Sequence, residues 1–486
     1  SENRFSMEST GVTIEDVNPH LIEAQYAVRG QICVRAQEIE KDLKEGKKYP
    51  FSSLVYCNIG NPQQLHQKPL TFVRQVLALT SYPDLVNLVP EGTFPTDAVE
   101  RAQQLLNANP GGSGAYSVSK GIPLVCKDVA DFISRRDGYP CPASEIFLSN
   151  GASQSVQNVM MVFSGHPDDG FLVPIPQYPL YSATTSLYGA KLVGYYLDEE
   201  NRWGLDLQEL EKSIAYAKEN HIHLKGLVII NPGNPTGMCL KEADMQDCIR
   251  FCIKHKLVLI ADEVYQENIY VDTAHFVSFR KAALDMGEEG KCAQIVSFHS
   301  ISKGFFGECG RRGGYMQAMG FDAAVQAQLV KLWSINICSN VDGQVALDVM
   351  VNPPKEGEPS YALYRAERDA ILSSLKRRAT QLCSALDALP GLSCHPIDGS
   401  MYAFFKVLLP KKAVEEAKAR KVKPDYFYCE KLLENTGIVT VAGSGFHQKD
   451  GTYHVRTTIL PPEEQIESVI MRISAFQKWF MDQYSE

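Results

Sequence analysis

No apolar run of the chain approaches the roughly 20 residues that a membrane-spanning helix needs; its longest stretches, such as residues 257–261, are strand-sized. A block of like charge is missing too. Lys and Arg total 48 against 57 Asp and Glu, a net charge of −9 without a basic stripe, which argues against nucleic acid and anionic membrane as partners. No CxxC pair occurs among the 13 cysteines, whose odd number and scatter exclude a disulfide framework and point to a reducing compartment. Repeats and low-complexity tracts are lacking as well. Residues 1–16 have neither an apolar signal core nor an Arg-rich presequence, so the expectation is a soluble cytoplasmic protein. Because the chain starts at Ser1, a mitochondrial location after removal of an earlier segment is the alternative.

What remains is ordinary globular material: 486 residues, 44% hydrophobic and 22% charged, enough for two or three domains. Six short runs rich in Val, Ile, Leu and aromatics read as buried parallel strands: residues 145–148, 170–173, 191–196, 226–230, 257–261 and 294–298. Between the fourth and fifth, Met245, Cys248, Ile249, Cys252 and Ile253 recur at helical spacing and predict a crossover helix. Cys248 and Cys252 share a helix face, and His221 and His223 lie two apart. Neither pair has further ligands nearby, so neither is read as a metal site, and the two cysteines are read as small core residues. Helices are also expected over 29–46, over 360–389 and from Pro462, with strands near 401–407, 438–441 and 454–459. The fold class is therefore α/β, a large domain with a mostly parallel sheet plus a smaller α+β domain. The expected division is 1–90 for the N-terminal arm and part of the small domain, 91–350 for the large domain, and 351–486 for the small domain.

Ligands of open α/β sheets bind beyond the carboxyl ends of the strands, and there the sequence is unusually polar. The first strand runs into Ser149-Asn150-Gly151-Ala152-Ser153 and an apolar helix pattern, a turn whose free N–H groups suit a phosphate. The fourth ends in Asn231-Pro232-Gly233-Asn234-Pro235-Thr236-Gly237, the fifth in Asp262-Glu263-Val264-Tyr265. The sixth ends in His299-Ser300-Ile301-Ser302-Lys303, followed by Gly310-Arg311-Arg312-Gly313-Gly314. Any one of these has a bland reading as turn or cap chemistry. Together they offer an amine, an anion, hydrogen-bond donors and a phosphate cradle, the set that pyridoxal 5′-phosphate requires.

The segments NPGNPTG, DEVY, SISK and GRRGG, in this order and spacing, resemble the class I and II aminotransferases of pyridoxal-phosphate fold type I, over about residues 58–459. Within that family, YAVRG (26–30), GAYSVSKG (114–121), QYPLYSA (177–183) and GECGRRGGYM (307–316) are most similar to alanine aminotransferases. The resemblance implies that Lys303 condenses with the cofactor aldehyde and moves the substrate proton, and that Asp262 pairs with the ring nitrogen. It implies that Asn234 and Tyr265 hydrogen-bond the ring hydroxyl, with Tyr178 stacked on the ring. Ala152, Ser153, Ser300 and Arg312 would hold the phosphate; Arg311 competes, but the pattern Gly-x-Arg-x-Gly selects Arg312. Arg456 would take the substrate α-carboxylate, and Gly60 would let backbone approach the substrate. Tyr116, after the Gly111-Gly112-Ser113-Gly114 run, would reach the phosphate of a neighbouring subunit, making the enzyme a homodimer with shared active sites. One departure stands out: Ala442 and His447 occupy positions where the family has Pro and Gly, which leaves the 441–447 turn less defined.

The activity so implied is ping-pong transfer between L-alanine and 2-oxoglutarate, with amino acids and 2-oxo acids as the small-molecule partners. A glutamate–glyoxylate aminotransferase is the near rival; the ending Tyr484-Ser485-Glu486 lacks a peroxisomal signal. A pyridoxal-phosphate lyase shares the same core residues, and a non-catalytic DNA-binding regulator is disfavoured because no basic helix-turn-helix accompanies them.

Overall fold

The computed structural model describes residues 12–485. Its centre is a seven-stranded sheet in the order Ile146–Ser149, Gly314–Met319, Ile295–Ser300, Val258–Asp262, His223–Ile230, Asp169–Ile175, Lys191–Tyr196. The six strands expected from apolar runs are all present, with ends no more than three residues from those expected. Gly314–Met319 is the one that sequence reading passed over. It lies antiparallel to both of its neighbours, whereas every other pairing in the sheet is parallel.

Helices cover both faces of this sheet, which is why its central strands are buried without alternation. The crossover helix Glu242–His255 has Glu242 and Asp244 in its first turn and Lys254 and His255 in its last, matching the helix dipole. Its Met245, Cys248, Ile249 and Cys252 are buried in an apolar cluster against Leu227 and Leu259, as small core side chains. A second apolar cluster joins Ile32, Ala36 and Ile39 of helix Gln31–Lys44 to the long helix Tyr361–Asp387 and the closing helix Glu463–Tyr484.

That cluster also contains a four-stranded sheet in the order Val441–Ala442, His454–Thr458, Tyr402–Val407, Leu392–Ser393, antiparallel throughout. The single strand expected at 438–441 is in fact two. Ile438–Val439 leaves to pair in parallel with Val55–Tyr56, and only Val441–Ala442 joins the larger sheet.

Candidate active site

A cavity of about 540 Å³ opens at the carboxyl ends of the parallel strands, within the ordinary size of small-molecule sites. Eleven of the twelve residues selected from the sequence line it: Gly60, Ala152, Ser153, Tyr178, Asn234, Asp262, Tyr265, Ser300, Lys303, Arg312 and Arg456. Tyr116 does not; its side chain is 76% exposed and lies beyond the short helical turn Gly112–Gly114.

Asp262 ends its strand 4% exposed, and its neighbour Glu263 faces the other way to accept the N–H of Phe279. The Tyr181 hydroxyl donates to Asp262 Oδ2 at 2.8 Å, while Oδ1 is buried with no partner. Burial raises the Asp262 pKa to about 6, against the lowering effects of the Tyr181 bond, of the nearby Val264 N–H and of Lys303. A carboxylate left so unsatisfied fits a cationic N–H donor brought by a ligand.

Lys303 follows the Ile295–Ser300 strand, and its Nζ donates to the Gly60 carbonyl at 2.8 Å. Gly60 keeps this approach open: a Cβ there would stand 2.6 Å from Tyr402 Oη and 2.9 Å from Lys303 Nζ, so both side-chain ends would have to move.

The helix Ala152–Phe163 begins at Gly151, whose φ of +83° suits glycine. A Cβ on Gly151 would meet Arg312 Nη2 at 2.5 Å, so the bare backbone admits the guanidinium to the helix start. Arg312 is held there by the carbonyls of Cys309 (2.8 Å) and Asn150 (3.0 Å) and by Ser153 Oγ (3.2 Å). First-turn N–H groups beside a fixed guanidinium make an anion site suited to a phosphate.

Arg456 is 1% exposed on the strand His454–Thr458. It donates to Asn234 Oδ1 at 2.9 Å and to the Asn58 carbonyl, and its Nε is buried without a partner. Because only the oxygen of an amide can accept from a guanidinium, Asn234 is left with its NH2 as the group to offer a ligand. The 441–447 turn is well tied despite its departure from the family pattern. Asp425 accepts the N–H of Ser444 and the amide of Gln448, and Phe446 places its ring 4.6 Å from the Arg456 guanidinium.

Several lining residues carry no sequence assignment: Tyr26, Arg29, Ser302, Cys309 and Tyr402, with Tyr181 behind Asp262. Tyr26 hydrogen-bonds Tyr178 hydroxyl to hydroxyl at 2.8 Å, so the segment before Gln31–Lys44 forms part of the wall. Tyr26, Arg29 and Tyr181 sit inside the stretches YAVRG and QYPLYSA, which was the available signal. Tyr402 had none, since its place depends on strand pairing far from any motif.

The family model "Aminotransferase class I and II" matches residues 86–473. The chain is 48% identical to alanine aminotransferase 1, mitochondrial, of Arabidopsis thaliana over 484 residues, covering 99% of this chain and 89% of that protein. It is 46% identical to glutamate–glyoxylate aminotransferase 2 of the same plant over 482 residues, covering 99% and 98%. Among solved structures, an alanine aminotransferase from Pyrococcus furiosus superposes with a TM-score of 0.75 at 22% identity, covering 95% and 100% of the two chains, a likeness of fold. With its motif residues gathered in one cavity, this chain belongs to the class I and II aminotransferases.

Proposed function

We propose that the protein binds pyridoxal 5′-phosphate in this cavity and transfers the amino group of L-alanine to 2-oxoglutarate, giving pyruvate and L-glutamate. The observation that carries the reading is the convergence of the Lys303 amine, the unpartnered Asp262 Oδ1, the Arg312 anion site and the Arg456 guanidinium on one cavity. When bound, the cofactor supplies a ring that accepts electrons from the substrate Cα.

The chain's own residues do the rest. Lys303 anchors the cofactor aldehyde and, once freed by the substrate amine, carries the Cα proton. Asp262 holds the ring nitrogen in its protonated state, a pairing that satisfies its free oxygen. Arg312, Ser300 and the N–H groups of Ala152 and Ser153 take the phosphate. Asn234 and Tyr265 donate to the ring hydroxyl, and Tyr178 packs on the ring. Arg456 binds the α-carboxylate, aligning the Cα–H bond for Lys303. Tyr116, being exposed, serves a second copy of the chain in a homodimer with shared sites. The mitochondrial names of relatives favour the organelle over the cytosol as the compartment.

Alanine is preferred because the 48% relative carries that name; the glutamate–glyoxylate relative at 46% supports a second reading. Pyruvate formation from L-alanine, measured with 2-oxoglutarate, with glyoxylate and with no oxo acid, tests both. Fast turnover with 2-oxoglutarate is expected. A faster reaction of L-glutamate with glyoxylate, followed as 2-oxoglutarate formation, would transfer the assignment to the second reading, and sustained loss of an amino acid carrying a β-leaving group with no oxo acid present would indicate a lyase.

A further inference from the structure

We propose that Tyr402 is a positioning residue of the transamination site: its ring holds Arg456 flat for the substrate carboxylate, and its hydroxyl backs Tyr265 beside the Lys303 amine. The inference rests on the reading above and extends it to a residue that no motif marks.

The strand register explains the first role. Tyr402–Val407 pairs antiparallel with His454–Thr458, setting Phe404 opposite Arg456 and Tyr402 opposite Thr458. Tyr402 and Phe404 share a face, so Arg456 lies diagonal to Tyr402, within reach of an aromatic side chain. Its guanidinium sits 4.1 Å from the centre of the Tyr402 ring. With Phe446 at 4.6 Å, a second ring contacts the same cation. Aromatic contacts of this kind keep a buried guanidinium in one orientation while leaving its edge free for a carboxylate.

The second role follows from the other end of the side chain. Tyr402 is 3% exposed, and its hydroxyl accepts a hydrogen bond from Tyr265 Oη at 3.2 Å. The space beside Gly60 brings Tyr402 Oη and Lys303 Nζ together, since one Cβ placed there would collide with both. A phenylalanine would pack the same ring without burying a hydroxyl, so the hydroxyl needs a use that offsets its desolvation. The titratable or charged groups facing it are Lys303, Arg456, Tyr265, Tyr178 and Cys309. Burial alone would raise the Tyr402 pKa, yet Lys303 and Arg456 pull it below the ordinary phenol value.

When Tyr265 turns its O–H to the cofactor's ring hydroxyl, Tyr402 can donate to Tyr265 in turn. Two phenols in series are better donors than one. With a cofactor bound, the pair would stabilise negative charge at the ring oxygen and so would keep the proton affinity of the Lys303 nitrogen low.

The test compares wild type, Y402F and Y402L as holoenzymes. The visible absorption of the Lys303–cofactor linkage is titrated against pH, and kcat and KM are measured for L-alanine. Y402F keeps the ring: KM should stay within about twofold, while the titration midpoint rises by about half a pH unit, a roughly threefold change in proton affinity, and kcat falls. Y402L loses the ring as well, and KM should rise about tenfold. A Y402F enzyme with unchanged midpoint and kcat would overturn the hydroxyl role. A KM in Y402L no higher than in Y402F would overturn the ring role. Y402F preserves side-chain volume, so the hydroxyl test stands even should Y402L fail to fold. Wild type without a visible band on adding pyridoxal phosphate would defeat the cofactor reading itself, a separate outcome.

Discussion

Replacing Asp262 by Asn should make the cofactor-free protein more stable and the enzyme nearly inactive. In the cofactor-free protein, burial raises the carboxyl pKa from 3.8 to about 6. The folded protein therefore binds this proton more tightly than the unfolded chain, and stability falls as pH rises from about 4 to about 6, remaining low above that. At roughly 1.4 kcal/mol per pH unit, the penalty at pH 8 is about 3 kcal/mol. Asn can still accept the Tyr181 hydroxyl while removing the charge, so most of that penalty should vanish. With an unfolding entropy of about 1 kcal/mol/K for a chain this long, the gain corresponds to a Tm increase of about 3 °C at pH 8. At pH 5 the gain should be about half as large, because the wild-type carboxyl is then mostly protonated when folded. Turnover should fall at least about a hundredfold, the scale expected when a fixed charge is taken from the reacting centre. Calorimetry of the cofactor-free proteins at both pH values, paired with steady-state rates, checks both halves. A variant that melts at or below wild type at pH 8, or that keeps a tenth of its activity, would refute the reasoning.

Other substitutions probe the remaining groups. Lys303→Ala should abolish the visible absorption band and nearly all turnover; spectra and single-turnover rates decide. Gly60→Ala should leave the melting temperature of the cofactor-free protein nearly unchanged, while kcat/KM drops at least about tenfold as the new methyl displaces the Lys303 amine. Arg29 lines the cavity and, among the described residues, has no acidic partner within 4.0 Å. Arg29→Gln should therefore raise KM for 2-oxoglutarate, which carries a second carboxylate, about tenfold more than KM for L-alanine; the two half-reactions measured separately give the ratio.

The amino-acid sequence by itself determined the chemistry-bearing groups. Each sits within a few residues of a strand end, and apolar runs with Gly- and Pro-rich turns are local signals of period and stiffness. That is why the placement of Asp262, Lys303 and Arg312 beside strand ends is legible in the sequence, as is the crossover helix Glu242–His255 from its apolar spacing. Only the tertiary structure decided what depends on pairing between distant segments. The antiparallel insertion of Gly314–Met319, the division of the 438–442 region between two sheets, the Tyr181 bond that leaves one Asp262 oxygen free, and the diagonal seat of Arg456 over Tyr402 all follow from long-range register. A strand's register is set by contacts made across the fold, and local sequence fixes which face a side chain can take but not what it meets there.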